Sequence, residues 1–387
     1  MKKRLFIFVF PLVLWTFFSQ CTKEEANPVG SLYFQRNDTG SQLSTTLYTT
    51  MQDTFYHTHV PTGTRSYLNV GKNGEQQAKT LIRFSSVPKG VQVDSANLKL
   101  YISQWLVENG SNLDIRISSI VDSWSETTIT WDQFDESLIG DEVMQVSIDA
   151  TNEDSISIDL PHDILVQWSD TSSTSTNYGL FMEAISEGQI VQFYSYNSSY
   201  TPVLTVYTTE DTTHETVFLA PTSDTFIGDK PVQGASDYLL VSNGHPLGVP
   251  TRSLFYFEMP EFPTNATVNG ALLNLATDTT LSTPNQEDFG LKAYAISDES
   301  WPIPDVPYDS VLVATGSVTG DSATVDVSDI VQNWVHGSLE NHGIILMSNS
   351  SATSFYERGF YSSAIQDSTR IPKLTIYYTV PPVVSRF

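Results

Sequence analysis

One cysteine stands in 387 residues. With Cys21 alone, an internal disulfide is impossible and a cysteine-based zinc site is excluded. Basic residues are sparse too: 19 Lys and Arg face 44 Asp and Glu, a net charge of −25. Between Arg116 and Lys230 no Lys or Arg occurs, while twenty acidic residues do. A field of that sign repels phosphate backbones and argues against a nucleic-acid partner. Catalytic signatures are missing as well. There is no His-Glu-x-x-His, no EF-hand loop, no Gly-x-Ser-x-Gly elbow and no phosphate-binding glycine loop. Carboxylates abound but form no recurrent acid–base pair, so the chain reads as a non-enzyme, with polysaccharide degradation the weakest alternative. Beyond the first twenty residues no run approaches the ~20 apolar residues a spanning helix needs. Wholesale disorder is also excluded, because 40% of the residues are hydrophobic and 12% aromatic.

What is present begins with an address. Lys2, Lys3 and Arg4 precede an apolar stretch at 5–19, which marks residues 1–20 as a signal peptide. Ser19-Gln20-Cys21 resembles a bacterial lipobox, in which the cysteine becomes the acylated first residue of the mature chain; Gln20 departs from the small residue usual there. Thr22-Lys23-Glu24-Glu25 resembles the export signal of surface lipoproteins in the Bacteroidota. The implied protein is lipid-anchored through Cys21 at the outer membrane or cell surface, with residues 21–44 as a flexible tether. Several acyl chains, at about 0.8 kcal/mol per buried CH₂, hold such a protein on its membrane.

The body repeats itself. Asp53-Thr54-Phe55 recurs as Asp224-Thr225-Phe226, and Tyr67-Leu68-Asn69-Val70 as Tyr238-Leu239-Leu240-Val241. Ala96, Leu98 and Leu100 match Ala271, Leu273 and Leu275. Ser123-Trp124 matches Ser300-Trp301, and Asn177-Tyr178-Gly179-Leu180 matches Asn341-His342-Gly343-Ile344. Both copies end on Pro-x-Leu-Thr-x-Tyr, at Tyr207 and Tyr377. Landmarks in one order over ~165 residues mean two copies of one unit. The first domain is set at 45–208, the second at 216–380, with 209–215 as linker and 381–387 as tail. Apolar residues alternate with period two in short runs rich in Val, Ile, Thr, Tyr and Phe, bounded by Gly, Pro, Asn and Asp. That pattern predicts an all-β protein of two tandem, jelly-roll-like antiparallel β-sandwiches. The exception recurs in both copies: residues 163–168 and 329–334 place apolar side chains at helical spacing behind an Asp, predicting one short helical turn in each.

The order Asp-Thr-Phe, Tyr-Leu-x-Val, Arg-Phe, Ala-x-Leu-x-Leu, then Trp124-Ser125-Glu126-x-Thr128-Ile129-Thr130-Trp131, resembles the DNRLRE (disaggregatase-related) domain. Gln167-Trp168, Asn177-Tyr178-Gly179-Leu180 and the terminal Pro-x-Leu-x-Val-Tyr strand look like its later landmarks. The likeness covers residues 46–207 and, more loosely, 217–378. In the second copy Trp301-Pro302-Ile303-Pro304 replaces the Trp-Ser-Glu run and Tyr256 stands where Arg83 does. The resemblance implies a jelly-roll-like sandwich in an extracellular protein, some relatives of which bind acidic polysaccharides such as alginate.

Sugar rings offer an apolar face to stack on and hydroxyls for polar neighbours, so unrepeated aromatics are the candidate ligand residues. Trp105 sits at a strand end. Tyr194, Tyr196 and Tyr200 share one parity, and Tyr356 and Tyr361 cluster at the equivalent place in copy two. Arg65 and Arg83, with Lys72 and Lys79, form a basic group suited to carboxylated sugars. Asp53 and Asp224 open a repeated strand, where an Asp either helps to hold a structural Ca²⁺ or accepts backbone N–H bonds. His57 and His59 lie two residues apart on one strand, a spacing that also admits a shared metal. The expected function is non-catalytic polysaccharide binding at the cell surface; the alternative is a structural or adhesive spacer that meets other surface proteins.

Overall fold

In the computed structural model residues 42–380 are described, apart from 86, 108–109, 153, 172–176, 231–236, 260–261, 264–265, 283–288 and 350–355. The signal peptide, Cys21, nearly all of the tether and the tail at 381–387 lie outside the described residues. The strands of the first half are β1 (Gln42–Thr49), β2 (Gln52–His57), β3 (Tyr67–Asn73), β4 (Gln76–Phe84), β5 (Gln92–Val107), β6 (Leu113–Ile120), β7 (Ile139–Ile148), β8 (Ser155–Leu160), β9 (Leu180–Ala184), β10 (Gln189–Tyr194) and β11 (Val203–Glu210). Those of the second half are β12 (Thr213–Leu219), β13 (Pro221–Asp229), β14 (Tyr238–Ser242), β15 (Thr251–Tyr256), β16 (Thr267–Asp278), β17 (Gly290–Ile296), β18 (Tyr308–Thr319), β19 (Ser322–Asp326), β20 (Ile344–Ser348), β21 (Glu357–Tyr361) and β22 (Lys373–Val380). Helix α1 (His162–Ser169) precedes β9 and α2 (Ser328–His336) precedes β20, where the sequence places them. The protein is all-β and antiparallel, with sandwich-like curled sheets.

Alternation builds each core. On β5, Leu98, Leu100 and Ile102 are buried while Asn97, Lys99 and Tyr101 face out. They join Leu204 and Val206 of β11, Ile115 and Ile117 of β6, and Leu165 and Trp168 of α1 in one cluster. The second half repeats this with Leu273, Leu275, Leu374, Ile376, Val331 and Trp334. The recurring Trp124 and Trp301 are buried, and each indole N–H donates to the carbonyl before a glycine: Trp124 to Tyr178 at 2.8 Å, Trp301 to His342 at 2.7 Å. Gly179, at φ +108°, lets that turn press on the Ile82 carbonyl, where a Cβ would sit 2.2 Å away.

The strand partners do not follow chain order. β1 pairs with β22 over its whole length, and β2 pairs with β15, so the opening strands of the first half complete the sheet of the second. Reciprocally, β12 pairs with β11 and β13 with β4, so the opening strands of the second half complete the sheet of the first. Each eleven-stranded sheet is thus built from both halves. Residues 209–215, read as a linker, lie in the β11–β12 hairpin: Thr209 pairs with His214, and Asp211 turns the chain at φ 54°. Threonine-rich chain favours extended structure, which explains why this run joins the ladder. The crossing segment after β2 is tied down: Thr62, buried, bonds to Thr225 at 2.9 Å and to the Phe226 carbonyl.

Candidate functional site

A sandwich has two outer faces. In the first body the outer face of β4, β9 and β6 is covered by the loop at 121–138. Trp124, Ile129, Trp131 and Phe134 pack there on Leu81, Phe181 and Ile227, and Phe134 stacks on Phe181 at 5.3 Å. Lys79 lies among these rings, 5.2 Å from Trp131, and 3.4 Å from Glu183. The opposite outer face, on β8, β5, β11 and β12, has no such cover of aromatic loop residues among the described residues. Register places Tyr101, Lys99, Asn97 and Ser95 of β5 beside Val203, Thr205 and Tyr207 of β11, with Ser157 and Asp159 of β8 on one side and Phe218 of β12 on the other.

Aromatic rings stand at both ends of this face. At one end Tyr200, 56% exposed, packs on Tyr194 at 5.0 Å and on Tyr101 at 5.9 Å, and Lys99 Nζ lies 4.8 Å over the Tyr101 ring. At the other end Tyr207 and Phe218, 71% exposed, lie diagonally across the β11–β12 ladder. From Tyr101 to Ser95 the strand runs about 20 Å at ~3.3 Å per residue. Between the ends lie Asn97, bonded to Asp159 at 2.8 Å, and the Thr205 and Ser157 hydroxyls. Rings for C–H faces and amides, hydroxyls and an ammonium for hydroxyl groups form an elongated surface suited to a linear glycan.

The residues singled out from sequence fall into separate places. Tyr194 and Tyr200 meet on this face. Tyr196 does not: β10 ends at Tyr194, and Tyr196 turns to donate its hydroxyl to Glu126 Oε1 at 3.0 Å. That bond raises its pKa. Its N–H donates to Asp224 Oδ2 at 2.8 Å, while Glu126 Oε2 accepts from the Asp224 N–H at 2.9 Å. Asp224 is buried, and burial, aided by the nearby Glu126 charge and opposed by the Tyr196 bond, pushes its pKa up to about 7. Asp53 makes the matching clasp in the other body, accepting from the Ser363 N–H at 2.7 Å and hydroxyl at 3.0 Å. Both repeated aspartates therefore pin an exchanged strand to its host. No group of three or more His, Cys, Asp or Glu poised for a metal occurs among the described residues.

Trp105 is half-buried against the core and donates to the Asn152 carbonyl at 3.1 Å. The basic group is dispersed. Arg65 bonds the Tyr67 hydroxyl, Lys72 pairs with Glu187 at 2.6 Å, and Arg83 reaches Ser223 at 2.9 Å with Trp124 beneath it. His57 bonds Thr251 at 2.8 Å, whereas His59 lies between Asp132 and Asp229. Tyr356 is half-buried on the second core, and Tyr361 carries the Arg370 guanidinium 4.9 Å above its ring. Sequence reasoning passed over Tyr101, Lys99, Tyr207 and Phe218. Parity against the buried Leu98, Leu100 and Val206 was the signal that marked the first three as outward.

Residues 44–208 match the model of carbohydrate-binding module family 96. No curated protein matches the chain. The first copy is thus related to a carbohydrate-binding module, and the matched stretch contains Tyr101, Tyr194, Tyr200 and Tyr207. It stops short of β12 and β13, which complete the first sheet in space.

Proposed function

We propose that this protein binds a polysaccharide chain without cleaving it, along the outer face of β8, β5, β11 and β12, and that its two copies act as tandem modules. The observation that carries the reading is the cluster of Tyr101, Tyr194 and Tyr200 with Lys99, on an outer face of the first body that no aromatic loop covers among the described residues. Lys99 makes an acidic polymer such as alginate the first to try, against the chain's overall negative field. Lipid attachment at Cys21 would hold the face outward from the outer membrane, where glycan is met before import or degradation. Retardation of the purified chain in gels carrying single polysaccharides tests the binding, and loss of retardation in Tyr101→Ala/Tyr200→Ala with unchanged melting assigns it to this face. Retardation by none of the polymers leaves the spacer reading, which the interlocked strands of the two halves also suit. Fatty-acid labelling lost in Cys21→Ser tests the anchor.

A further inference from the structure

A concavity lies where the two bodies meet. It encloses about 610 Å³, within the ~300–1,000 Å³ usual for small-ligand pockets. One wall comes from the first body, with Gln76, Gln104 and Leu106; the other comes from Lys230, Leu247 and Glu357. Because both copies supply the walls, the cleft exists only in the assembled tandem and lies largely beyond the stretch matched to a binding-module family.

Its polar groups are held in place. Gln104 Nε2 donates to Gln192 Oε1 at 3.0 Å, Gln192 Nε2 to Asn69 Oδ1 at 3.2 Å, and Asn69 Nδ2 to the Pro246 carbonyl at 2.6 Å. This amide relay runs from one body to the other and fixes the Gln104 head group. Across the cleft the Lys230 ammonium reaches Glu357 Oε2 at 3.5 Å and Thr251 Oγ1 at 3.3 Å, both at the long limit of hydrogen bonding. Such contacts leave the ammonium free to donate to a closer acceptor. His245 also lines the cleft; it is 7% exposed, and its Nδ1 is buried without a partner among the described residues. Burial and the neighbouring Arg65 charge hold the His245 pKa down to about 4, so near neutral pH it adds no charge. The charges of Lys230 and Glu357 cancel.

We infer that this cleft is a second carbohydrate site, one that takes a short neutral sugar, with adjacent hydroxyls bridging Lys230 and Glu357, a further hydroxyl on Gln104, and a C–H face on Leu106 and Leu247. It rests on the reading that the chain takes glycan, but its ligand differs from that of the tyrosine face. A neighbouring ammonium and carboxylate donate to and accept from a vicinal diol together, whereas a uronate would meet Glu357 as a like charge.

The test is backbone-amide chemical-shift mapping on the full chain titrated with cellobiose or lactose at millimolar concentration, with digalacturonate as the charged control. The cleft predicts shifts at Leu106, Val107, Leu247 and Val249, with binding at least about tenfold weaker in Gln104→Ala and in the cleft-filling Leu106→Trp. Gln104 is exposed, so its variant keeps the test valid should Leu106→Trp fold poorly. Shifts confined to Tyr101, Tyr194 and Tyr200 overturn the cleft and leave the tyrosine face standing. Absence of any shift while polysaccharide still retards the protein overturns the cleft alone; absence of both sinks the two sites together. Digalacturonate binding as tightly as the neutral sugars overturns the assignment of a neutral ligand.

Discussion

The outer face of β19, β16, β22 and β1 in the second body is the structural counterpart of the tyrosine face, yet its side chains differ. Ala276 stands where Tyr101 does, Asn274 where Lys99 does, and Arg370 where Tyr200 does. Tyr361 keeps the place of Tyr194, but its ring is capped by Arg370, whose Nη1 also donates to the Tyr361 hydroxyl at 2.7 Å. At the far end Tyr377 and Leu47 keep the exposed pair made by Tyr207 and Phe218. The fold therefore tolerates either set, since these side chains lie outside the core. A complete set of rings in one body and a depleted one in the other is the difference on which the proposed binding face rests. The strand clasps diverge in the same way. Asp224 meets Tyr196 and Glu126, with one carboxyl oxygen buried and unpartnered among the described residues, whereas both Asp53 oxygens accept bonds from Ser363.

The clasps give the largest expected difference. Asp224 has its folded pKa raised from 3.8 to about 7, so the folded state holds a proton that the unfolded state releases. The stability associated with that proton is complete below about pH 4 and is lost as pH rises through about 7, on the order of 4 kcal/mol in all. Asp224→Asn should therefore flatten the melting profile between pH 4 and pH 8. Asp53 is raised as well, by burial, but the two Ser363 bonds oppose the rise, so Asp53→Asn should change the profile less. Equal effects in the two variants would erase the distinction between the clasps.

Much of this is legible in the sequence alone. Leu98, Leu100, Lys99 and Tyr101 alternate on β5 as a half-buried strand must, and the helices follow the spacing of Ile164, Leu165 and Trp168 and of Ile330, Val331 and Trp334. The exchange of strands was not legible. Asp53-Thr54-Phe55 and Asp224-Thr225-Phe226 present the same pattern to either host, so period and propensity cannot choose between partners. The choice falls to long-range geometry: the tight β11–β12 hairpin and the anchored crossing at Thr62. Tyr196 was misplaced for a related reason. Parity holds only while a strand continues, and β10 stops two residues earlier. Trp105 does lie near the end of β5, which runs to Val107, but its indole folds back to Asn152 and is not offered to solvent as a platform.

Next in size is the direct comparison of faces. Removing two stacked rings should cost roughly 1–2 kcal/mol each. Tyr101→Ala/Tyr200→Ala is then expected to weaken polysaccharide retardation by about 30-fold or more. Ala276→Tyr/Arg370→Tyr is the converse. It rebuilds the ring cluster around Tyr361 and should strengthen retardation by up to about tenfold, because a second site on one molecule meets the same polymer at high effective concentration. A rebuilt face with no gain would mean that backbone shape, and not the rings, separates the two bodies.

The smallest effect distinguishes a shared end from a shared function. Tyr207 and Tyr377 occupy equivalent places and are both exposed, so neither supports the core and neither substitution should move the melting temperature. Tyr207 shares a continuous face with the Tyr101 cluster; Tyr377 lies by Leu47 and Gly270, with no ring cluster at the other end among the described residues. A ring that a glycan reaches only at one end contributes little, because the chain must give up its freedom for a single contact. Tyr207→Ala is expected to weaken retardation about fivefold to tenfold, and Tyr377→Ala less than about threefold. Equal losses in the two variants would show that both bodies grip the polymer through this shared end, and the three-tyrosine cluster would then account for affinity in the first body without accounting for which body binds.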